Sequence, residues 1–157
     1  MALAFAGRVR VSAVRLPPSV HGRGDHAFVP ALIAIARAKG LSAYVGDGSN
    51  RWAAVHRLDA TRLFRLALES APAGTRLNAI GDVGVPFLDI AEVIGRHLTL
   101  PVTSVSAAEA ESHFGMFALF ASMDVTASSA QTRERFGWHP AHPALIADLE
   151  QGHYFKD

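Results

Sequence analysis

Hydrophobic and polar residues alternate near the start of the chain and then recur at helical spacing. Residues 8–16 place apolar side chains at every second position between arginines and a serine, which predicts a strand. Residues 17–25 are rich in proline and glycine and predict a loop. Residues 26–39 carry an apolar helical stripe that Gly40 is placed to close, and the apolar residues 1–6 fit the last turns of a helix before Gly7.

The middle of the chain continues the alternation of strands and helices. A short strand is predicted at residues 41–45, and the turn-forming residues 46–50 predict a hairpin or tight bend into a strand at 51–56. Asp59 precedes a strong apolar periodicity, so we interpret it as the cap of a helix that ends before Pro72. A catalytic role for Asp59 is the weaker alternative.

The remaining pattern predicts a strand at 75–80, a turn at 81–84, a helix at 86–98 and a strand at 101–105. Ser106 and Glu109 fit a capping box, and further helices are predicted at residues 130–136 and 143–150. Strands that alternate with helices indicate an α/β fold, and we expect a single domain over residues 1–157. The parallel strands are too few for a complete doubly wound sheet.

Composition excludes several functional classes. The chain has 157 residues, half of them hydrophobic, and a net charge of +1, so it offers no broad basic surface for nucleic acid or an anionic membrane. No apolar stretch reaches the length of a membrane span. The absence of cysteine excludes disulfides, thiolate metal sites and a cysteine nucleophile, and is compatible with the cytoplasmic location that we expect.

A glycine-rich phosphate loop is missing from this sequence. Gly46 and Gly48 form the nearest glycine pair, but they lie in a polar bend without a third spaced glycine. We therefore interpret them as turn residues.

Three segments together resemble the extended or atypical short-chain dehydrogenases/reductases, the NAD-dependent epimerase/dehydratase-like family. They are GRVRVSAVRLPPSVHGRG at residues 7–24, GDGSNRWAAVHRLD at 46–59 and RFGWHP at 135–140. Their order and spacing are similar to those in the carboxyl-terminal half of the family and cover nearly the whole chain. The resemblance implies an incomplete Rossmann-like fold, the carboxyl-terminal part of a doubly wound parallel sheet, with a small α/β substrate-binding lobe.

The resemblance also implies which chemistry to expect. In this family a tyrosine exchanges a proton with the substrate while a lysine four residues later lowers its pKa. Neither Tyr44 nor Tyr154 has such a lysine, so we predict no catalytic residue in this chain. The family places both the phosphate loop and the tyrosine-lysine pair upstream of the first segment, and we expect a chain that starts late.

By the same resemblance, seven residues are site candidates. Four are expected to meet the nicotinamide of NAD or NADP in the complete enzyme: Pro17, Pro18, Ser19 and Val20. Three are expected near the substrate pocket, each with packing as an open alternative: His21, Arg51 and Trp52. A proline-bounded strand exit is the alternative reading of the first four.

Other combinations of residue types are weaker. His139 and His142 are three apart, but neighbouring prolines indicate a loop and no carboxylate cluster completes a shell, so we predict no metal site. Ser19, His21 and Asp25 supply the residue types of a hydrolytic triad without its usual strand-to-helix turn. The apolar residues 114–120 fit either a ligand pocket or, more readily, core or dimer packing.

We therefore expect the substrate-side portion of an NAD(P)-dependent oxidoreductase or epimerase-like protein, inactive alone, with a small-molecule substrate in its complete form. The alternative is a noncatalytic ligand-binding or protein-interaction module derived from that family. In either case we expect an exposed apolar surface that favours self-association.

Overall fold

The computed structural model describes Gly7 and residues 9–156, so the helix predicted for residues 1–6 lies outside the described residues. The described strands are β1 (Ala13–Arg15), β2 (Ser19–His21), β3 (Ser42–Val45), β4 (Arg51–His56), β5 (Arg76–Asn78), β6 (Asp82–Pro86) and β7 (Val102–Val105). The helices are α1 (Phe28–Lys39), α2 (Arg57–Ser70), α3 (Phe87–Leu98), α4 (Ala110–Phe114), α5 (Ala118–Ser122), α6 (Ala130–Phe136) and α7 (Leu145–Glu150).

The strands form three small groups with mainly parallel pairing. β1 lies parallel to β5, β3 lies parallel to β7, and β4 lies between the parallel β2 and the antiparallel β6. Parallel neighbours require a crossover, which the intervening helices supply. The predicted α/β class with parallel pairing is confirmed.

Strand β4 separates two hydrophobic clusters. Trp52 and Ala54 belong to the first cluster, which also contains buried residues of α1, α3 and α7. Val55 belongs to the second cluster, with α2 and Trp138. Successive side chains of a strand point to opposite faces, so the buried middle of β4, residues 52–55, serves both clusters.

Most helices follow their local signals. Gly40 and Gly137 end α1 and α6 in the left-handed conformation, at φ 71° and φ 60°. The Ser106–Glu109 capping box forms in both directions, with Glu109 Oε2 2.9 Å from the Ser106 amide and Ser106 Oγ 3.3 Å from the Glu109 amide. No helix in the described part of the chain is both long and apolar enough to cross a membrane.

Several strand predictions need correction. The strand predicted at residues 8–16 is limited to β1, and the loop predicted at 17–25 contains β2, because β4 supplies β2 with a parallel partner. The bend at 46–50 forms, but β3 and β4 pair with other strands instead of forming a hairpin.

The predicted turn at residues 81–84 is also wrong, since β6 occupies most of it. Gly84 lies in this strand where other side chains approach its backbone closely. A Cβ at Gly84 would lie 2.8 Å from Thr126 Cγ2 and 3.2 Å from Arg51 Cβ. Glycine is needed here because neighbouring side chains pack against the backbone of the strand. The sequence alone does not distinguish such a glycine from one in a turn.

Candidate functional site

The candidate cofactor segment, Pro17–Val20, runs from the loop after β1 into the first two residues of β2. Pro17 and Ser19 are buried, whereas Pro18 and Val20 are partly exposed. Ser19 and Val20 pair with Ala54 and Val55 of β4. The Ser19 hydroxyl is buried and has no hydrogen-bond partner within the described residues. This segment therefore has fixed backbone, some exposed surface and an unused polar atom.

His21 ends β2 and is completely buried. Its Nδ1 lies 2.9 Å from Asp148 Oδ2, and its Nε2 has no hydrogen-bond partner in the described part of the chain. On the other side, His153 Nε2 lies 3.9 Å from Asp148 Oδ1. The buried Asp148 carboxylate is thus hydrogen-bonded to His21 and lies near His153, whose Nε2 has no hydrogen-bond partner among the described residues. Sequence reasoning missed Asp148 and His153, which no local motif marks.

The loop after His21 is held by the carboxyl-terminal segment of residues 152–156. The Gly22 amide donates to the Tyr154 hydroxyl at 2.8 Å, and that hydroxyl lies 3.3 Å from Asp25 Oδ2. Burial raises the pKa of Tyr154 beyond the ordinary range of a phenol, so the hydroxyl stays neutral and both accepts and donates. Tyr154 therefore ties this loop to the end of the chain.

Gly22 has φ 130°, a conformation that favours glycine. A Cβ at this position would lie 2.9 Å from His56 Nε2 and 3.0 Å from Arg57 Cγ. The loop that follows the candidate cofactor segment is therefore restricted both by backbone conformation and by close packing.

Arg51 and Trp52 are neighbours on β4 but have different environments. Arg51 forms a bidentate ion pair with Asp124. Its Nη2 lies 2.9 Å from Oδ2, and its Nε lies 3.1 Å from Oδ1. Hydrogen bonds from Arg51 lower the pKa of Asp124. Trp52 is buried, and its Nε1 donates to the Phe120 carbonyl at 3.1 Å.

Of the three candidate substrate residues, Arg51 lines an open cleft of about 510 Å³. The other lining residues are Val45, Asp47, Ser49, Asn50, Ser122 and Asp124. His21 and Trp52 do not line this cleft, and both are packed inside the protein. Their burial favours the packing alternative over direct contact with a ligand.

The interpretation of Asp59 as a helix cap is wrong. Helix α2 begins at Arg57, and His56 caps it by accepting a hydrogen bond from the Leu58 amide at 3.3 Å. Asp59 lies within the first turn, where its carboxylate accepts from the Ala141 and His142 amides at 3.0 Å each. These donors come from a distant loop, so the pattern around Asp59 gives no sign of them.

His142 completes this arrangement by placing Nδ1 2.9 Å from Asp59 Oδ1. Burial by itself would raise the pKa of Asp59. The hydrogen bonds from His142 and from the amides of Ala141 and His142 outweigh that effect and lower the pKa. The carboxylate is thus stabilised in its charged form and fixes the loop that precedes α7.

His56, Asp59 and His142 place potential ligand atoms within 4.8 Å of one another, whereas the sequence drew attention to His139 and His142. The rings of His56 and His142 are stacked, with their centres 4.7 Å apart and an angle of 7° between their planes. Their in-plane lone pairs therefore lie in parallel planes and do not converge on one point. His56 Nδ1 already accepts from an amide, and the N-terminal end of a helix disfavours a cation. This geometry favours a polar hydrogen-bonded cluster over a metal centre.

Taken together, the parallel strands with helical crossovers and the fixed segment after β1 define a Rossmann-like α/β protein. No protein-family model matches the chain. An uncharacterised protein of Schizosaccharomyces pombe is 52% identical over 154 residues, covering 98% of this chain and 52% of the relative. An uncharacterised protein of Saccharomyces cerevisiae is 52% identical over 136 residues, covering 87% and 46%.

Solved structures share the fold at low sequence identity. A dTDP-glucose 4,6-dehydratase from Streptomyces venezuelae with NAD bound matches 98% of this chain and 47% of its own, at a TM-score of 0.74 and 16% identity. MoeE5 in complex with UDP-glucuronic acid and NAD matches 95% and 49%, at 0.68 and 23%. ADP-L-glycero-D-manno-heptose-6-epimerase from Helicobacter pylori matches 92% and 44%, at 0.66 and 16%.

The chain spans about half the length of the curated relatives and of these solved structures. More than nine tenths of this chain superposes on each of the three solved structures. The chain therefore has the fold of about half of each of these proteins.

Proposed function

We propose that this chain is the carboxyl-terminal, substrate-side portion of an NAD(P)-dependent oxidoreductase or epimerase-like protein. One observation carries the proposal: nearly the whole chain shares its fold with about half of a dTDP-glucose 4,6-dehydratase that binds NAD. The three sequence segments that resemble the short-chain dehydrogenases/reductases support it independently, because they occur in family order.

In the complete protein, the segment Pro17–Val20 meets the nicotinamide of NAD or NADP. The buried Ser19 hydroxyl supports this role, since a buried polar atom without a partner is costly unless a ligand or water satisfies it. Backbone groups of the partly exposed Pro18 and Val20 would contact the carboxamide. The nicotinamide supplies hydride transfer when it is bound.

Of the three candidate substrate-binding residues, Arg51 is the one that contacts the substrate directly. Its guanidinium lines the open cleft beside Asp47, Ser49 and Asp124, a set of donors and acceptors suited to a polar small molecule. His21 and Trp52 act from behind the surface, by fixing the end of β2 and the start of β4.

The isolated chain would bind neither dinucleotide tightly and would not turn over substrate. It contains neither a glycine-rich phosphate loop nor a tyrosine followed by lysine at the fourth position. A helix N-terminus above such a loop supplies the amides that bind a pyrophosphate. We therefore assign the catalytic centre of the complete protein to residues beyond this sequence.

Calorimetric titration with NAD and NADP tests the proposal, using this chain and the Schizosaccharomyces pombe relative, which is about twice as long. We expect saturable micromolar binding by the relative and none by this chain. Failure of the relative to bind either dinucleotide would refute the family assignment. Micromolar binding by this chain would instead refute the division of roles between the two portions.

A noncatalytic ligand-binding or protein-interaction module is the second candidate. The observation that favours it is the continuous packing of two hydrophobic clusters around β4. If the purified chain is a monodisperse monomer that unfolds cooperatively, this candidate gains over the first.

A further inference from the structure

A polar cleft of about 510 Å³ lies on one face of the β1–β5 pair, away from both candidate sites. The residues that line it come from β1, from β5 and the loop before it, and from α6: Arg15, Pro72, Ala73, Gly74, Thr75, Arg76, Asn78, Gln131, Thr132 and Arg135. Three of the ten are arginines and none is a carboxylate. The candidate cofactor residues and Arg51 are not among them.

Strand geometry explains how two of the arginines come together. Ala13 pairs with Arg76 and Arg15 pairs with Asn78, so Arg15 and Arg76 are diagonal neighbours on one face of the strand pair. Val14 and Leu77 point to the opposite face, into the second hydrophobic cluster. The alternation of the two strands therefore places both guanidinium groups on the face that α2 does not cover.

Helix α6 adds the third arginine. Gln131 and Arg135 are four residues apart and hence lie on the same side of this helix, where both line the cleft. The Arg135 guanidinium lies 5.6 Å from the centre of the Phe136 ring, a cation–π contact that leaves its charge uncompensated.

Among the described residues, these charges have no carboxylate partner. None of the ion pairs between described residues uses Arg15, Arg76 or Arg135, whereas Arg51, Arg65 and Arg96, for example, each pair with a carboxylate. The whole chain has a net charge of only +1, so this cleft is a local concentration of positive charge. A concave surface of one sign focuses the field and attracts ions of the opposite sign.

We propose that this arginine cleft binds a small multivalent oxyanion, such as a phosphate ester or a polycarboxylate. A guanidinium group can donate two parallel hydrogen bonds to the oxygens of a phosphate or of a carboxylate. The Gln131 amide supplies a further, neutral donor. The cleft has room for more than one anionic group. The proposal shares no residue with the candidate cofactor segment and stands independently of the proposed function.

Calorimetry at low ionic strength with pyrophosphate and, separately, with citrate tests the cleft. We expect saturable binding at one site, which weakens steeply as salt is added because the attraction is electrostatic. Arg15→Gln, Arg76→Gln and Arg135→Gln should each reduce affinity about tenfold, and the triple variant should abolish binding. Stronger binding of pyrophosphate than of citrate would assign the ligand to phosphate esters, and the reverse order to carboxylates.

Arg65→Gln is the matched control, since Arg65 is an exposed arginine that is already paired with Glu69 at 2.8 Å. It should leave affinity unchanged. The three cleft arginines are exposed, so their variants should retain the far-ultraviolet circular dichroism of the parent. Absence of saturable binding, or equal losses in Arg65→Gln and the cleft variants, would overturn the proposal.

Discussion

At the scale of single residues, Asp59 joins the first turn of α2 to the loop before α7. Replacing Asp59 with alanine leaves the Ala141 and His142 amides and the His142 ring without the carboxylate that accepts their hydrogen bonds. Because the carboxylate is buried, we expect Asp59→Ala to lower the free energy of unfolding by about 3 kcal/mol at pH 7. Urea denaturation measures the change.

The same carboxylate should make stability depend on pH. The pKa of Asp59 in the fold lies below its ordinary value of 3.8, so its contribution is complete above about pH 4 and is lost as the pH falls through the lower folded value. The difference between the parent and Asp59→Asn, which does not titrate, should therefore shrink toward pH 3. A difference that stays constant with pH would contradict this account.

His56 predicts a second dependence on pH, at a higher range. Burial lowers the pKa of His56, and the neighbouring His21 lowers it further, so the unfolded chain takes up a proton there before the folded chain does. Stability should therefore fall as the pH drops below about 6.5. Protonation would also remove the acceptor that caps α2.

We expect His56→Asn to reduce this fall in stability between about pH 7 and pH 5, since asparagine caps a helix but does not titrate there. Denaturation midpoints across the range provide the measurement. His26→Asn is the control because His26 is exposed and should leave the profile unchanged. Identical profiles for the parent and His56→Asn would exclude His56 as the source.

Residue types alone identified some of these positions but not their roles. Asp59 stands out before the strong periodicity of α2, yet its partners come from a distant loop. His21 and Trp52 were predicted near a substrate, and nothing in their neighbours along the sequence indicates that both are buried. Burial and long-range hydrogen bonds depend on tertiary structure, which a local pattern does not contain.

At the scale of elements, the carboxyl-terminal segment of residues 152–156 fixes the loop between β2 and α1. Besides the Tyr154 contacts, Phe155 stacks on His97 at 4.4 Å, and Arg37 donates to the Phe155 carbonyl at 3.0 Å. Arg23 lies exposed within the loop and offers a trypsin site. Cleavage after Arg23 therefore reports how often the loop opens.

We expect Tyr154→Phe to speed this cleavage by about fivefold or more, because the hydrogen bond from the Gly22 amide, worth about 1 kcal/mol, and the longer one to Asp25 are both lost. Mass spectrometry of the fragments gives the rate at each site. Tyr44→Phe is the matched control, since the Tyr44 hydroxyl has no hydrogen bond among the described residues. An unchanged rate after Arg23 would show that other contacts hold the loop.

Helices were predicted more successfully than strands for a physical reason. Gly40, Gly137 and the Ser106–Glu109 box act within a single turn, so their signals are present in the sequence. The short strand β2 exists because β4 lies beside it, and β6 because Arg51 and Trp52 pair with its far end. Such partners are distant in sequence and were not predicted.

At the scale of the whole molecule, apolar surface remains uncovered around β1. Val9 and Leu16 on either side of this strand are 58% and 48% exposed, and β1 pairs only with β5 within the described residues. An unpaired edge beside apolar side chains favours association between copies. We expect the purified chain to self-associate as its concentration rises.

Light scattering across a concentration series measures this self-association. The diagnostic variant carries both Val9→Lys and Leu16→Lys. Charges at the edge should shift the chain toward monomer. Leu119→Lys is the comparison, because Leu119 is exposed in a separate apolar patch on α5. Equal effects of the two changes would mean that association does not use the β1 edge.

The class of fold was predictable from the alternation of strands and helices, and the structure confirms it. The division into three strand groups was not, since it depends on which distant strands pair. The arginine cleft likewise required the register of β1 against β5, because Arg15 and Arg76 are far apart in sequence.

The pairing of strands also has a consequence for synthesis on the ribosome. β1 pairs through Ala13 with Arg76, and β3 pairs through Ser42 with Val102, so each early strand waits for a partner made much later. Until then its backbone groups and apolar side chains are open to other nascent chains. Fast translation through β5 and β7, or a chaperone that covers the first strands, should therefore raise the yield of folded protein.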